Sequence, residues 1–222
     1  MDGGALLDRM WASMKATFGL FAQASPASDL VELDGVTALV VPVTPGRSVL
    51  NAVLYDDVER LRRNLDELAA IYTRAGVRAW TVWVHPGDEA ARRLLQGAGH
   101  KLDATPAAMG RELERTAASM PEGVEWTHNG DLATLTDLND VAYGWQEERP
   151  WSRALSGLPA DAVQVYTANV QGQPACGLMT HDHDGDCDLW LVATLPAARG
   201  RGLATALLGQ ALADARDRGC QT

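Results

Sequence analysis

Near its C-terminus the chain carries Arg199-Gly200-Arg201-Gly202-Leu203-Ala204-Thr205, between an apolar strand, Leu189 to Leu195, and an Ala/Leu-rich helix from Leu203 to about Arg218. Glycines at 200 and 202 let the backbone approach a ligand without an intervening Cβ. The helix that follows adds its positive dipole end. Strand, glycine turn and helix together aim backbone N–H groups at an anion, and a pyrophosphate is the natural guest. Two other phosphate motifs do not fit. A P-loop needs Gly-Lys-Ser/Thr at the helix start, and here Leu203 and Ala204 follow Gly202. The dinucleotide fingerprint needs a third glycine where Thr205 stands.

Other groups could do chemistry. His181-Asp182-His183-Asp184-Gly185-Asp186-Cys187-Asp188 offers carboxylates and imidazoles to a metal, but Asp184-Gly185 reads as a hairpin turn that throws alternate side chains to opposite faces. As an EF-hand counted from Asp182, Cys187 stands where the glycine belongs and Ala193 where the glutamate belongs. A solvated hairpin is expected, with no metal. Asp188, at the start of the apolar strand, is either a proton acceptor or an exposed strand end. Trp145, Trp151 and Trp190 are either pocket walls or core. Glu147-Glu148 could hold a cationic amine or form a solvated face. Trp80 and Trp83 are expected on opposite faces of one strand.

The elements that must position these groups fall into two series. In the first, Leu6, Leu7, Met10, Met14, Phe18 and Phe21 predict an amphipathic helix over 5–24. Strands follow at Leu30–Leu33, Val36–Val41 and Val49–Tyr55. A helix then opens at Asp56-Asp57 and stops at Gly76. Ala79–Val84 reads as a strand, Asp88 caps a short helix, and residues 100–114 read as a strand pair broken near Pro106. Residues 116–122 read as a linker. The second series predicts a strand at Val124–Thr127, a helical region over 131–148, strands at Ala162–Val170, Cys176–His181 and Leu189–Leu195, and the last helix. Ala75-Gly76-Val77 and Arg218-Gly219-Cys220 end corresponding long helices.

The pattern Arg/Gln-x-x-Gly-x-Gly/Ala is met by Arg199, Gly202 and Ala204, and V-A-T-L-P-A-A-R-G-R-G-L-A-T-A-L closely resembles the acetyl-CoA motif of the GCN5-related N-acetyltransferases, the GNAT superfamily. The resemblance covers residues 122–222. In residues 1–115 it is faint and rests on element order, with L-L-Q-G-A-G-H similar to the family's closing segment. It implies an α/β (α+β) fold with a GNAT-like, mixed, mostly antiparallel sheet flanked by helices, in two copies: a degenerate one over 1–115 and an acetyl-CoA-binding one over 123–222. It also implies that backbone amides of Arg199, Gly200, Arg201, Gly202, Leu203, Ala204 and Thr205 take the CoA pyrophosphate. Val192, Ala193 and Thr194 would pair with the pantetheine arm, and Asp188 would relay the amine proton. A small-molecule amine would attack the thioester directly. The alternative is an acyl-CoA-binding sensor on the same fold.

In this family a strand and a tyrosine-bearing helix follow, and the tyrosine protonates the thiolate. That region would lie beyond Thr222, so a shortened chain is expected; alternatively residues 76–115 fill the place, from the same chain or a second molecule in a homodimer. In the first series the glycine turn is replaced by Leu54-Tyr55-Asp56-Asp57-Val58-Glu59-Arg60, whose three acids would repel pyrophosphate, and Leu95 stands where the tyrosine would. That copy is expected not to bind CoA.

Composition sets bounds. The chain has 222 residues, 46% hydrophobic and 22% charged, with a formal net charge of −10. Nucleic acid is not an expected partner of so acidic a chain. Three cysteines without close pairing fit a reducing, cytoplasmic setting. No apolar run is long enough for a membrane span.

Overall fold

The computed structural model describes residues 2–107, 109–114 and 119–222. The expected linker therefore lies partly outside the described residues. Among the described residues eight strands form two four-stranded sheets, each in sequence order. The first contains β1 (Asp29–Leu33), β2 (Val36–Val40), β3 (Ala52–Tyr55) and β4 (Thr81–Val82). Its first three strands are antiparallel; β3 and β4 are parallel, joined across α2 (Val58–Arg74). The second contains β5 (Val124–His128), β6 (Gln164–Val170), β7 (Gln173–His183) and β8 (Asp186–Thr194), all antiparallel. The remaining helices are α1 (Gly3–Ala22), α3 (Glu89–Gly97), α4 (Leu132–Ala142), α5 (Pro150–Ala154) and α6 (Leu203–Asp217).

Helix α1 is more than an amphipathic surface helix. Its apolar side carries Trp11, Phe18 and Phe21 into one core that also takes Leu39, Leu50, Ala52 and Leu54 from the first half and Leu135, Trp151, Val165, Met179 and Leu191 from the second. Its other side carries Arg9, Ser13 and Thr17, spaced by four and therefore stacked on one face. That side meets the second sheet: Arg9 pairs with Asp186 at 2.8 Å, and Thr17 donates to Asp188 at 2.9 Å. The two halves thus share a core instead of standing as separate units. A second core fills the space between the first sheet and α2 and α3, and a third lies between the second sheet and α6. Trp80 packs in the second core and Trp83 against the shared one, on opposite faces as expected.

Several expected boundaries change. Residues 100–107 and 109–114 form no strand; Leu102 and Met109 are exposed, so no apolar face is available to bury. Ser48–Leu50 make a 3-10 turn, and β3 begins only at Ala52. The cause is Asn51, fully buried, whose side chain accepts from the Val41 N–H and donates to the carbonyls of Thr44 and Arg47. The helical region expected over 131–148 ends at Ala142, where Gly144 turns the chain with φ +76°. A loop then leads to α5. Buried Asp140 ties that loop down, accepting from the N–H groups of Trp151 and Ser152 and from the Ser152 hydroxyl. After α6, Gly219 (φ +103°) reverses the chain so that the Gln221 N–H reaches Gly185 O at 2.7 Å, beside the start of β8.

Because Phe18 is 1% exposed and sits where both halves meet, Phe18→Ala is expected to cost about 3–5 kcal/mol. Denaturant unfolding followed by tryptophan fluorescence and by circular dichroism should shift together, in one transition.

Candidate functional site

Among the described residues four helices start by one rule, and two, the short α5 on Arg149 and the long α6, do not. Asp2, Asp57, Asp88 and Asp131 stand at the N-caps of α1, α2, α3 and α4, and each carboxylate accepts from backbone N–H groups of its helix. These bonds satisfy donors that have no intrahelical partner. Helix α6 starts instead on Gly202, φ +73°, and no side chain caps it. Its leading residues Leu203, Ala204 and Thr205 are the ones whose N–H groups a helix leaves without internal partners. Gly200 also has positive φ, +74°. A Cβ built on Gly200 or Gly202 meets no atom within 4 Å. The glycines are therefore required by the left-handed backbone, and the space before the turn is open. Uncapped first amides beside two left-handed glycines are the kind of backbone on which an anion can be held.

The strand leading into this turn is bulged. In the β7·β8 register Gly177 faces Ala193 and Met179 faces Trp190, so Leu178 stands opposite both Leu191 and Val192. Leu191 has φ +56°. Trp190 and Leu191, adjacent in sequence, consequently both pack on the shared core, whereas Val192 turns toward α6. Side-chain donors meet the strand's carbonyls here. Asn139 Nδ2 lies 2.5 Å from Leu191 O, the Tyr143 hydroxyl 3.4 Å from Val192 O, and Arg199 Nε 3.2 Å from Thr194 O. Arg199 also donates to Ala142 O at 2.9 Å, binding the turn to the end of α4. Of the expected cofactor residues, Val192, Ala193 and Thr194 thus lie at the bulge and just beyond it, and Arg199 to Thr205 form the turn and the first helical residues.

Asp188 is not an exposed strand end. It faces His181 across the β7·β8 ladder, and its carboxylate accepts from Thr17 at 2.9 Å and Trp190 Nε1 at 2.6 Å. Thr17 Oγ1 also lies 3.0 Å from His181 Nδ1. Burial pushes the Asp188 carboxyl above the usual range, against the lowering effect of its hydrogen bonds, and burial pulls His181 down. The hairpin alternates as expected: Asp182 pairs with Arg218 at 2.6 Å, while His181 faces α1. Among the described residues no group of three or more His, Cys, Asp or Glu is placed to hold a metal. Burial raises the Cys176 thiol and pushes Cys187 up to about 12 and Cys220 to about 11.

The tryptophans separate. Trp151 is core. Trp190 is partly buried there and serves Asp188. Trp145 stands in the α4–α5 loop, stacked on Tyr143 with ring centroids 5.4 Å apart, and the Arg47 guanidinium lies 4.6 Å from its centroid. Arg47 also pairs with Glu148 at 2.7 Å. Four contributors escape the sequence reading: Thr17, Arg47, Asn139 and Tyr143. Thr17 had a signal, since Arg9, Ser13 and Thr17 recur every fourth residue. Arg47 had none, because its partners lie a hundred residues away.

Residues 132–222 match the family model described as the acetyltransferase (GNAT) family. Solved structures share the fold across both sheets. A GCN5-related N-acetyltransferase from Kribbella flavida superposes with TM-score 0.65 at 15% identity, over 95% of this chain and 82% of that one. A protein from Staphylococcus epidermidis ATCC 12228, described as functionally unknown and conserved, gives TM-score 0.55 at 10% identity, over 88% and 81%. A GCN5-related N-acetyltransferase from Sphaerobacter thermophilus gives 0.53 at 16%, over 84% and 65%. A comparison with curated proteins gives no match. The family match covers under half of the chain, its C-terminal part, and the solved structures show the fold the whole chain shares with them. Among the described residues no helix is long and apolar enough to cross a membrane.

Asp188 also sets a pH dependence. Its folded-state pKa lies above the unfolded value, so folding favours its protonated form. The stability it contributes is full below the unfolded value, about 3.9, and is lost as pH rises through the folded value. Asp188→Asn keeps an acceptor for Thr17 and Trp190 but cannot ionise. The variant is expected to be more stable than the parent at neutral pH, with the difference shrinking on acidification; thermal melts between pH 4 and 8 measure it.

Proposed function

We propose that this chain is an acetyl-CoA-dependent N-acyltransferase acting on a small soluble amine. The observation that carries the reading is α6: among the described residues the one long helix without an aspartate cap, opening on two left-handed glycines soon after a bulged strand, within the segment that matches the acetyltransferase family. Backbone amides from Arg199 to Thr205 would hold the pyrophosphate, and Val192, Ala193 and Thr194 the amide-bearing arm. When bound, acetyl-CoA would supply an acyl group already activated as a thioester. Transfer to an amine then needs positioning and a path for the amine's proton. Burial raises the three thiols, which disfavours the thiolate that a cysteine nucleophile would need. Asp188, raised by burial and bridged to His181 through Thr17, is suited to receive that proton. The α4–α5 loop, with Trp145 and Glu148, would flank the acceptor.

The first half is read as a degenerate copy that no longer takes the cofactor. In support, α2 and α6 end alike: Val77 N–H reaches Tyr72 O at 2.9 Å beyond Gly76, and Cys220 N–H reaches Ala215 O at 3.0 Å beyond Gly219. Their starts differ. The α2 amides of Glu59 and Arg60 are already bonded to Asp57, and Asp56 adds a further negative charge. What this half would contribute is α1 under Asp188 and Arg47 over Trp145.

Two experiments test the reading. Isothermal calorimetry should detect acetyl-CoA binding to the parent chain, and Gly202→Asp should abolish it while the fold survives. The substitution costs about 1–2 kcal/mol of left-handed strain and sets a carboxylate before the amides. Unchanged affinity would remove the assigned site. In a thiol-release assay over an amine panel, Asp188→Asn should lower kcat by about 10²–10⁴ with acetyl-CoA affinity retained. Binding without turnover of any amine would favour a sensor.

A further inference from the structure

The side of α4 that faces the second sheet is apolar at Leu135, Leu138 and Ala142, yet it contains Asn139, 2% exposed. A buried amide among apolar groups is costly unless it is hydrogen-bonded. Its one hydrogen bond to the sheet goes to Leu191 O, 2.5 Å away. A carbonyl only accepts, so the donor must be Nδ2 and the side chain has a single orientation. The residue it holds is the strained one. Leu191 has φ +56°, a conformation that leucine avoids, and its side chain is buried.

We infer that Asn139 is a positioning residue that fixes the β8 bulge, and through it both the cofactor strand and Asp188. The inference rests on the acyl-CoA reading of this site. A strand that pairs regularly alternates its faces, and removing one extra residue exchanges the faces of everything on one side of the change. With the turn anchored to α4 through Arg199 and Ala142, loss of the bulge would turn Asp188 and Trp190 away from α1 and break their contacts with Thr17. Asn139 and Tyr143 are four residues apart and reach successive carbonyls, Leu191 O and Val192 O. One helical face therefore reads both carbonyls of the bulge, with Asn139 as its buried anchor and Tyr143 as its exposed end. A leucine at 139 would suit the core as well as its neighbours do, which identifies the amide's task as register and not packing.

The test uses two variants of the full chain, Asn139→Leu and Asn139→Asp, with acetyl-CoA affinity by calorimetry, kcat and KM, and melting temperature. Asn139→Leu should weaken acetyl-CoA binding at least tenfold and lower kcat, out of proportion to any change in melting temperature. Asn139→Asp should bind weakly at pH 8 and recover affinity toward pH 6, because only the protonated carboxyl can donate to Leu191 O. Parent-like affinity in Asn139→Leu, or in Asn139→Asp at every pH, overturns the inference. If the parent chain itself fails to bind acetyl-CoA, the reading of the site fails instead, so the two failures are told apart by the parent's titration.

Discussion

A strand inside a sheet has little freedom: each residue it gains or loses turns every later side chain to the other face. The second half of this chain is organised around such an irregularity. At Leu191–Val192, β8 carries two residues opposite one of β7. The carbonyls at the bulge meet donors of α4 and of the residue after it, Asn139 and Tyr143. The bulge sends Trp190 and Leu191 to the same core and Val192 to the opposite one. The turn before α6 and the carboxylate of Asp188 lie on either side of this offset.

The first half acts on the same strand from the other end. One face of α1 is apolar and fills the core common to both sheets; the other is polar and meets Asp186, Asp188 and His181. Asn51 shapes the loop that carries Arg47 across to Trp145 and Glu148. A half that has filled its own helix start with Asp57 still shapes the surroundings of the other half's turn.

What could be seen in the sequence is local physics. Gly200, Gly202 and Gly219 report left-handed backbone, Asp184-Gly185 a tight hairpin, and the apolar spacing of α2 its buried stripe; all lie where expected. The bulge is invisible because Trp190, Leu191 and Val192 are all apolar, so either register satisfies the pattern. The polar stripe of α1 looks like a solvated face because a sequence does not show that a second sheet will cover it. The strand pair expected at 100–114 is absent from residues 100–107 and 109–114, where exposed Leu102 and Met109 leave no apolar face to bury. The early stop of α4 was signalled by Gly144 but masked by further helix formers after it.

The missing cap on α6 has a thermodynamic corollary. The other long helices carry the satisfaction of their first amides within the covalent chain, so their starts are equally stable at any solute concentration. In α6 that satisfaction is left to water or to whatever anion arrives. The opening turn of α6 is therefore the part of the molecule whose protection against hydrogen exchange should follow ligand activity, its protection free energy rising as RT ln(1 + L/Kd), with L the free ligand concentration, through ordinary linkage. On the proposed reading, the backbone that would hold a phosphate would also report how much of it is bound.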